Sequence, residues 1–454
     1  MIDYYNLRDK EVKLLERSQL IPEKNIFSIL VGKNGTGKST LLGQLTTDIN
    51  RDLARRRKHI EENENHSLYD DDYPREFSRD FPSEIIAVST SPFDKFPVSR
   101  INKVKYYTYL GLRDVNSISI GLGYLSKIIG SLIDSIYKQS NQAIEIGNVL
   151  EYLGYRDEIR VILDYSVHPR QFEETLFNSN LFEEFDKRTN PIFRKINRQY
   201  FTNADNSLNE RKLKRLQRTL QETFNQHFDF RNFHLTINRY GFENVKSKQE
   251  IENLIFLFEA GIIRLRDVVL TKAKDYESYS IKEASSGEQS IILSILGIAS
   301  RIKNSCLILI DEPEICLHPQ WQETYIDILT RTFDKFKNCH FIIATHSPLI
   351  ISRLSNYNSF IVDMESGNVA NADRFINNSV DFQLANIFNH PGFKNEYLLR
   401  IAMSIFSNVS KSKAFSKKDE LNYEVLKSQS IFLRQDDPVY DLYKTIAELK
   451  TIYG

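Results

Sequence analysis

The stretch Gly32-Lys33-Asn34-Gly35-Thr36-Gly37-Lys38-Ser39 constrains this chain more than any other feature. It matches G-x-x-x-x-G-K-[ST] and follows Ile26-Phe27-Ser28-Ile29-Leu30-Val31, a run that reads as a buried strand. A helix is expected to begin near Lys38. Strand, glycine turn and helix in that order make an anion site. The glycines let backbone N–H groups converge on phosphate oxygens with no Cβ in the way, and the helix N-terminus adds its positive dipole end. Lys38 is expected to reach the β- and γ-phosphates, and Ser39 to coordinate Mg²⁺. Gly32, Asn34, Gly35, Thr36, Gly37 and Thr40 complete the expected phosphate contacts.

Three further motifs stand downstream. Leu307-Ile308-Leu309-Ile310-Asp311-Glu312-Pro313 is an apolar strand ending in two carboxylates, at the edge where α/β sheets bind ligands. There Asp311 is the candidate for the Mg²⁺ shell, and Glu312 the candidate to orient or deprotonate an attacking water. Ala344-Thr345-His346-Ser347-Pro348 ends the next strand and places His346 to touch a γ-phosphate, by a hydrogen bond or as a charge. Ser285-Ser286-Gly287-Glu288-Gln289 is a serine-glycine turn opening a helix. By itself it reads as an ordinary serine N-cap, with an anion site as the alternative.

Around these motifs, strands and helices alternate from Ile262 onward. Strands are expected at Ile262–Leu270, about Tyr276–Ile281, Cys306–Ile310, His340–Ala344 and Phe360–Asp363. That alternation implies an α/β fold with a buried, mostly parallel sheet. The expected division is an N-terminal head lobe over 1–114, a mostly helical insertion over 115–261, a C-terminal head lobe over 262–365 and a helical extension over 366–454, a candidate partner-docking region. Within the insertion, strands are expected at Val161–Tyr165 and His234–Ile237. No sustained heptads occur there, which argues against a long coiled-coil arm but allows a short helical hairpin.

Composition narrows the partners. The 454 residues exceed one ordinary core. Sixty basic and 60 acidic residues balance to a formal charge of zero, which weighs against indiscriminate DNA binding. Arg55-Arg56-Arg57-Lys58 reads as a solvated surface because Glu61, Glu62 and Glu64 follow it, with phosphate contact as the alternative. The basic group Arg211, Lys212, Lys214, Arg215 and Arg218 is equally open to both readings. The three cysteines, Cys306, Cys316 and Cys339, give no disulfide framework; with His318 and His340 they fit no usual zinc spacing, so buried thiols are expected. No apolar run approaches the roughly 20 residues of a membrane span, and no leader is read at the start, so a cytoplasmic protein is expected.

The order of the four motifs resembles the ABC-type ATPase heads of the SMC and RecF group. Ala284-Ser285-Ser286-Gly287-Glu288 resembles that group's signature, Glu314–Pro319 its interface-crossing segment, and Ala344–Pro348 its switch-histidine motif. The resemblance covers about 1–110 and 262–365. It implies an α/β, mixed-sheet head that binds ATP and Mg²⁺ and forms a homodimer or higher homo-oligomer head to tail. In such an assembly Ser285, Ser286, Gly287 and Glu288 of one subunit cap the γ-phosphate held by another. Two departures stand out. No glutamine follows the strand ending at Ser89, where Ser89 and Ser91 are the candidate substitutes, and Ala284 and Ser286 replace the commoner Leu and Gly. Both favour nucleotide binding over fast turnover.

Ser91-Pro92-Phe93-Asp94-Lys95-Phe96 and Leu309–Pro319 are similar to the PtuA-type ATPases of Septu and retron anti-phage systems. That similarity implies a separate HNH nuclease subunit, regulated by nucleotide, with DNA met through the complex. The alternative function is a DNA-repair or recombination ATPase that clamps DNA directly. No nuclease centre is expected in this chain: Asp363-Met364-Glu365 lacks an accompanying Asp-x-Asp, Asp436-Asp437 has the wrong spacing, and no HNH-type histidine cluster is present.

Overall fold

Ile26–Val31 carries one serine among apolar residues, and every one of its side chains is buried, so this strand has protein on both faces. The same holds for Ile85–Ser89, Leu307–Asp311 and His340–Ala344. Such runs are the mark of a parallel sheet covered by helices on both sides. The computed structural model describes residues 1–8, 10–62, 81–98, 106–114, 120–139, 141–166, 196–203, 205–225, 233–245, 247–354, 357–376 and 378–454.

The first elements are β1 (Tyr4–Leu7), β2 (Lys10–Lys13), β3 (Ile26–Val31), α1 (Lys38–Glu62), β4 (Ile85–Ser89) and β5 (Tyr107–Gly111). Then come α2 (Ile120–Lys138), α3 (Asn141–Tyr152), β6 (Tyr155–Tyr165), α4 (Glu210–Asn225), β7 (Phe233–Asn238), β8 (Gly241–Glu243) and α5 (Lys248–Glu259). The second half has β9 (Ile263–Lys272), β10 (Ser278–Ser280), α6 (Ser286–Ala299), β11 (Leu307–Asp311), α7 (Pro319–Thr332), β12 (His340–Ala344), α8 (Pro348–Ile351), β13 (Ser359–Asp363) and β14 (Val369–Asn371). Helices α9 (Val380–Asn386), α10 (Glu396–Ser412), α11 (Lys417–Ser430) and α12 (Pro438–Tyr453) close the chain.

The seven-stranded sheet runs β14-β13-β3-β12-β11-β4-β5, parallel throughout except for the β13–β14 pair. Its register decides the function. Asp311 lies opposite Ala344 and Ser89, and Ala344 opposite Leu30, so the motif-bearing strand ends share one edge. Helix α1 covers one face with Leu41, Leu42, Leu45 and Ile49, against Leu30, Ala87, Leu309 and Ile342. Helices α2, α6 and α7 cover the other, against Ile29, Val88, Ile310 and Ile343.

A second, five-stranded antiparallel sheet runs β10-β9-β6-β7-β8. Val161 of β6 lies opposite Val268 of β9 and Leu235 of β7. Strand β9 belongs by sequence to the C-terminal head lobe, yet it is the neighbour of insertion strand β6. Among the described residues the insertion is therefore helices α2–α5 joined to a sheet that draws strands from both segments, and both share one apolar core with the head. Helices α9–α12 pack around their own core of Leu398, Ile405, Val409, Leu426 and Ile446.

Strand β5 and the β1–β2 hairpin have no counterpart in the sequence expectation, and the helix expected from 348 is a single turn. Of the charged stretch 51–80, residues 63–80 lie outside the described residues; Arg55, within α1, is exposed and faces Asp52 at 3.9 Å. No helix among the described residues is long and apolar enough to cross a membrane.

Candidate functional site

The phosphate loop leaves β3 through Gly32, Gly35 and Gly37, whose φ values of 142°, 85° and 98° lie where L side chains are strained. At Gly32 a Cβ would also sit 3.1 Å from Thr36 Oγ1. Helix α1 starts at Lys38, as expected. The Lys38 ammonium is turned back into the loop: Nζ donates to Gly32 O at 2.7 Å and Lys33 O at 3.1 Å, and lies 3.5 Å from His346 Nδ1. Burial lowers its pKa to about 8, opposed by Glu312, Glu314, Asp311 and Glu365. Asn34 is exposed at the loop tip, and Thr36 and Thr40 are half-buried.

Asp311 ends β11 with 1% of its surface exposed. Ser39 Oγ donates to its Oδ1 at 3.0 Å, so the first and second motifs meet directly. Burial pushes the Asp311 carboxyl up to about 7 despite that bond, and Glu312, Asp94 and Glu314 push it further. A hydroxyl and a carboxylate are the hard oxygen donors that Mg²⁺ takes. Among the described residues no cluster of three His, Cys, Asp or Glu side chains could hold a metal. Ser39 and Asp311 fit an ion that fills its other positions with phosphate and water.

Glu312 has the left-handed φ of 50°, and its N–H donates to Ala344 O at 2.9 Å. A non-glycine residue held there costs on the order of 1 kcal/mol, and such residues gather at functional sites. Its Oε1 lies 3.8 Å from His346 Nε2. Burial first, then Lys38, lowers the His346 pKa and favours a neutral ring.

Two carboxylates beside these were missed as site residues. Glu314 accepts from Thr345 Oγ1 at 2.9 Å and from the His346 N–H at 2.6 Å, so it fixes the turn that aims the histidine. Burial raises its pKa against those bonds. Its place directly after Asp311-Glu312-Pro313 was the available signal. Glu365, just past β13, accepts from the Lys33 N–H at 3.0 Å and pairs with Lys33 Nζ at 3.3 Å. Nothing local in the sequence marks it.

The departure after β4 has a local explanation. Ser89 Oγ accepts from the Ser91 N–H at 3.0 Å, and Ser91 Oγ accepts from the Phe93 N–H at 3.2 Å. Both hydroxyls brace the turn. Asp94 is buried and accepts from Tyr109 OH at 2.6 Å and Arg113 Nη1 at 3.2 Å. Tyr109 lies in β5, so the unexpected strand anchors this turn.

The signature residues open helix α6. Ser285 caps α6 by accepting from the Glu288 N–H at 3.2 Å. Ser285 and Ser286 are exposed, whereas Gly287 is buried. A Cβ on Gly287 would come within 3.2 Å of Cys316 O, so the signature turn lies against the Glu314–Pro319 segment. Among the described residues no hydrogen bond joins Ser285–Glu288 to Gly32–Ser39. Elsewhere, Cys306 and Cys339 are buried and Cys316 is exposed. His340, at the start of β12, accepts from the Ile2 N–H at 3.3 Å, and its Nε2 lies 2.8 Å from Ser28 Oγ. The Ser28 hydroxyl proton goes to Leu14 O at 2.6 Å, so His340 donates through Nε2. Burial lowers its pKa to about 3.

Comparison with known proteins gives the chain's relatives. The retron Ec83 probable ATPase of Escherichia coli is 31% identical over 141 residues, covering 28% of this chain and 26% of that protein. The retron Vc95 probable ATPase of Vibrio cholerae is 34% identical over 109 residues, 22% of this chain and 21% of that protein. The Septu protein PtuA of Bacillus mycoides is 34% identical over 134 residues, 27% and 18%. The chain thus matches about a quarter or less of the length of these curated relatives. Residues 44–351, from within α1 past the histidine motif, match the AAA ATPase domain family. With more than half its length in that match and the lysine, carboxylates and histidine converging where the sheet ends, this chain is a member of the AAA ATPase domain family.

Proposed function

We propose that this chain is an ABC-type head that binds and hydrolyses ATP with Mg²⁺, that copies close head to tail around the nucleotide, and that the closed state regulates a separate HNH nuclease subunit in anti-phage defence. The observation that carries the chemistry is the meeting of Lys38, Ser39, Asp311, Glu312 and His346 at one sheet edge. Phosphate oxygens take over the Lys38 ammonium from the loop carbonyls and restore the charge that burial disfavours. Ser39 and Asp311 would hold Mg²⁺, which supplies charge neutralisation on the β- and γ-phosphates. Glu312 accepts the proton of the attacking water, and neutral His346 contacts the γ-phosphate. Ser285 and Ser286 are exposed at the start of α6, which leaves them open to a second copy.

The defence role rests on the relatives' names, retron ATPases and a Septu protein. Cytoplasmic placement and contact with DNA through the complex follow from it. The test is nucleotide binding by Lys38→Ala, together with native mass spectrometry of the protein expressed from its own operon. Wild-type affinity in the variant removes the nucleotide site; absence of a nuclease subunit from the assembly removes the defence role. A second function, direct clamping of DNA, is favoured by one observation: Arg211, Lys214, Arg215 and Arg218 are all exposed on α4. DNA-stimulated hydrolysis by the isolated chain would support it.

A further inference from the structure

Helix α6, which carries the signature serines in its first turn, is held at both ends by the insertion. At its C-terminal end Arg301 donates through Nε to Ser131 Oγ at 2.8 Å and through Nη2 to Asp134 Oδ2 at 3.0 Å. The hydroxyls of Ser131 and Ser300 lie 2.9 Å apart, and the Gln142 amide donates to Ala299 O. Ser131 and Asp134 belong to α2, and Gln142 to α3.

At the N-terminal end the link is to the five-stranded sheet. Glu288 is the third residue after the Ser285 cap, a position from which a carboxylate ordinarily turns back to its own cap. Here it is taken by two tyrosines. Tyr155 OH donates to Glu288 Oε1 at 2.5 Å. Tyr279 OH lies 2.6 Å from Tyr155 OH and 3.1 Å from the same carboxylate oxygen, a shared donor. Tyr155 opens β6 and Tyr279 lies in β10, with β9 between them in the sheet. Burial, then the bonds to Glu288, keeps the Tyr155 hydroxyl protonated, and burial lifts Tyr279 to about 12. On the other side of the same turn stand Cys316 O and His318 N, against Gly287. The signature turn is thus set between the sheet and the segment that follows the carboxylate motif.

We infer that Tyr155 and Tyr279 are positioning residues that couple the five-stranded sheet to the signature serines through Glu288, so that whatever shifts the sheet sets the rate of ATP hydrolysis. This rests on the composite, two-subunit site proposed above. The physical basis is stiffness. A carboxylate held by two hydroxyls on one sheet cannot follow the head while the sheet moves, and its own N–H is bonded to Ser285.

The test uses the full chain carrying Tyr155→Phe and Tyr279→Phe together, which removes both hydroxyls and keeps both rings. The expected result is a fall in kcat of about tenfold, the scale of one hydrogen bond to a charged group. ATP-driven dimerisation should weaken with it, while fluorescent-nucleotide Kd for the phosphate loop stays at wild type and Tm falls by no more than a few degrees. Glu288→Ala should match the double variant, and combining all three changes should add little, because they break one linkage. Glu288→Gln keeps an acceptor oxygen and should recover most of the rate. Unchanged kcat in the tyrosine variant overturns the coupling, as does a loss that tracks Tm and Kd together. Ser286→Arg separates the two levels. If it blocks dimerisation and turnover while the tyrosine variant does not, the coupling alone is wrong; if it too behaves as wild type, the composite site is wrong and the coupling goes with it.

Discussion

Around Lys38 the polar groups are bonded to one another inside the head; around Ser285 they face outward and are held by the insertion. Lys38 is satisfied by loop carbonyls, Ser39 by Asp311, and the His346 turn by Glu314. All of these groups sit at the edge of one parallel sheet, in a register set by backbone hydrogen bonding. Ser285 and Ser286 are exposed, and their turn is fixed by Tyr155 and Tyr279 from another sheet. The difference teaches where control can enter. In the composite site proposed above, the first half is pre-formed, and the second depends on a geometry delivered from elsewhere in the chain, so it is the half through which a partner would act.

The sharpest contrast should come from Glu312, the carboxylate proposed to activate water. Glu312→Gln removes that proposed general base and should lower turnover by about 10²- to 10⁴-fold while leaving ATP bound. The two halves should then remain closed on each other, and light scattering with ATP and Mg²⁺ should report a stable dimer. A monomer under those conditions would break the head-to-tail arrangement. Lys38→Ala should weaken nucleotide binding on the order of 100-fold, from roughly 1.5–3 kcal/mol per charge-assisted hydrogen bond. Calorimetric titration giving wild-type affinity would place the phosphates somewhere else.

Glu314→Ala should act within the first half without touching the phosphates. It unties the His346 N–H and the Thr345 hydroxyl, and kcat should drop by about tenfold with KM near wild type. A KM effect alone would show that Glu314 serves binding instead. A control outside the site uses His340, which opens the strand that ends two residues before His346. His340 is buried with its pKa lowered from 6.5 to about 3, so the unfolded chain binds the extra proton in that window. Its contribution to stability is complete above pH 6.5 and is lost as pH falls toward 3. Urea midpoints measured across that range should slope less in His340→Gln than in the wild type. Equal slopes would show that His340 is not the group responsible.

The residues around Gly32–Ser39 needed little beyond the sequence. Tight turns at glycine, a strand that must be buried on both faces, and a helix start after Gly37 are all local constraints, written in contiguous residues. Asp311, Glu312 and His346 follow because parallel strands of similar length end together. Chain order carried the resemblance to ABC-type heads, because four motifs in sequence are harder to meet by chance than any one of them; the kinship with Septu and retron ATPases was carried by Ser91–Phe96 and Leu309–Pro319.

Tertiary structure alone decided the rest. Glu365 reaches Lys33 across the sheet, and Asp94 is held by Tyr109, from a strand with no strong local signal, and by Arg113 just past it. The five-stranded sheet pairs β6 with β9, segments separated by α4 and α5, and so joins insertion to head. Hydrophobic periodicity says that such a strand needs a neighbour but does not say which one. A carboxylate three residues past a serine cap reads as a local cap. Only the pairing that brings β6 and β10 to the same helix end shows that Glu288 faces two tyrosines instead.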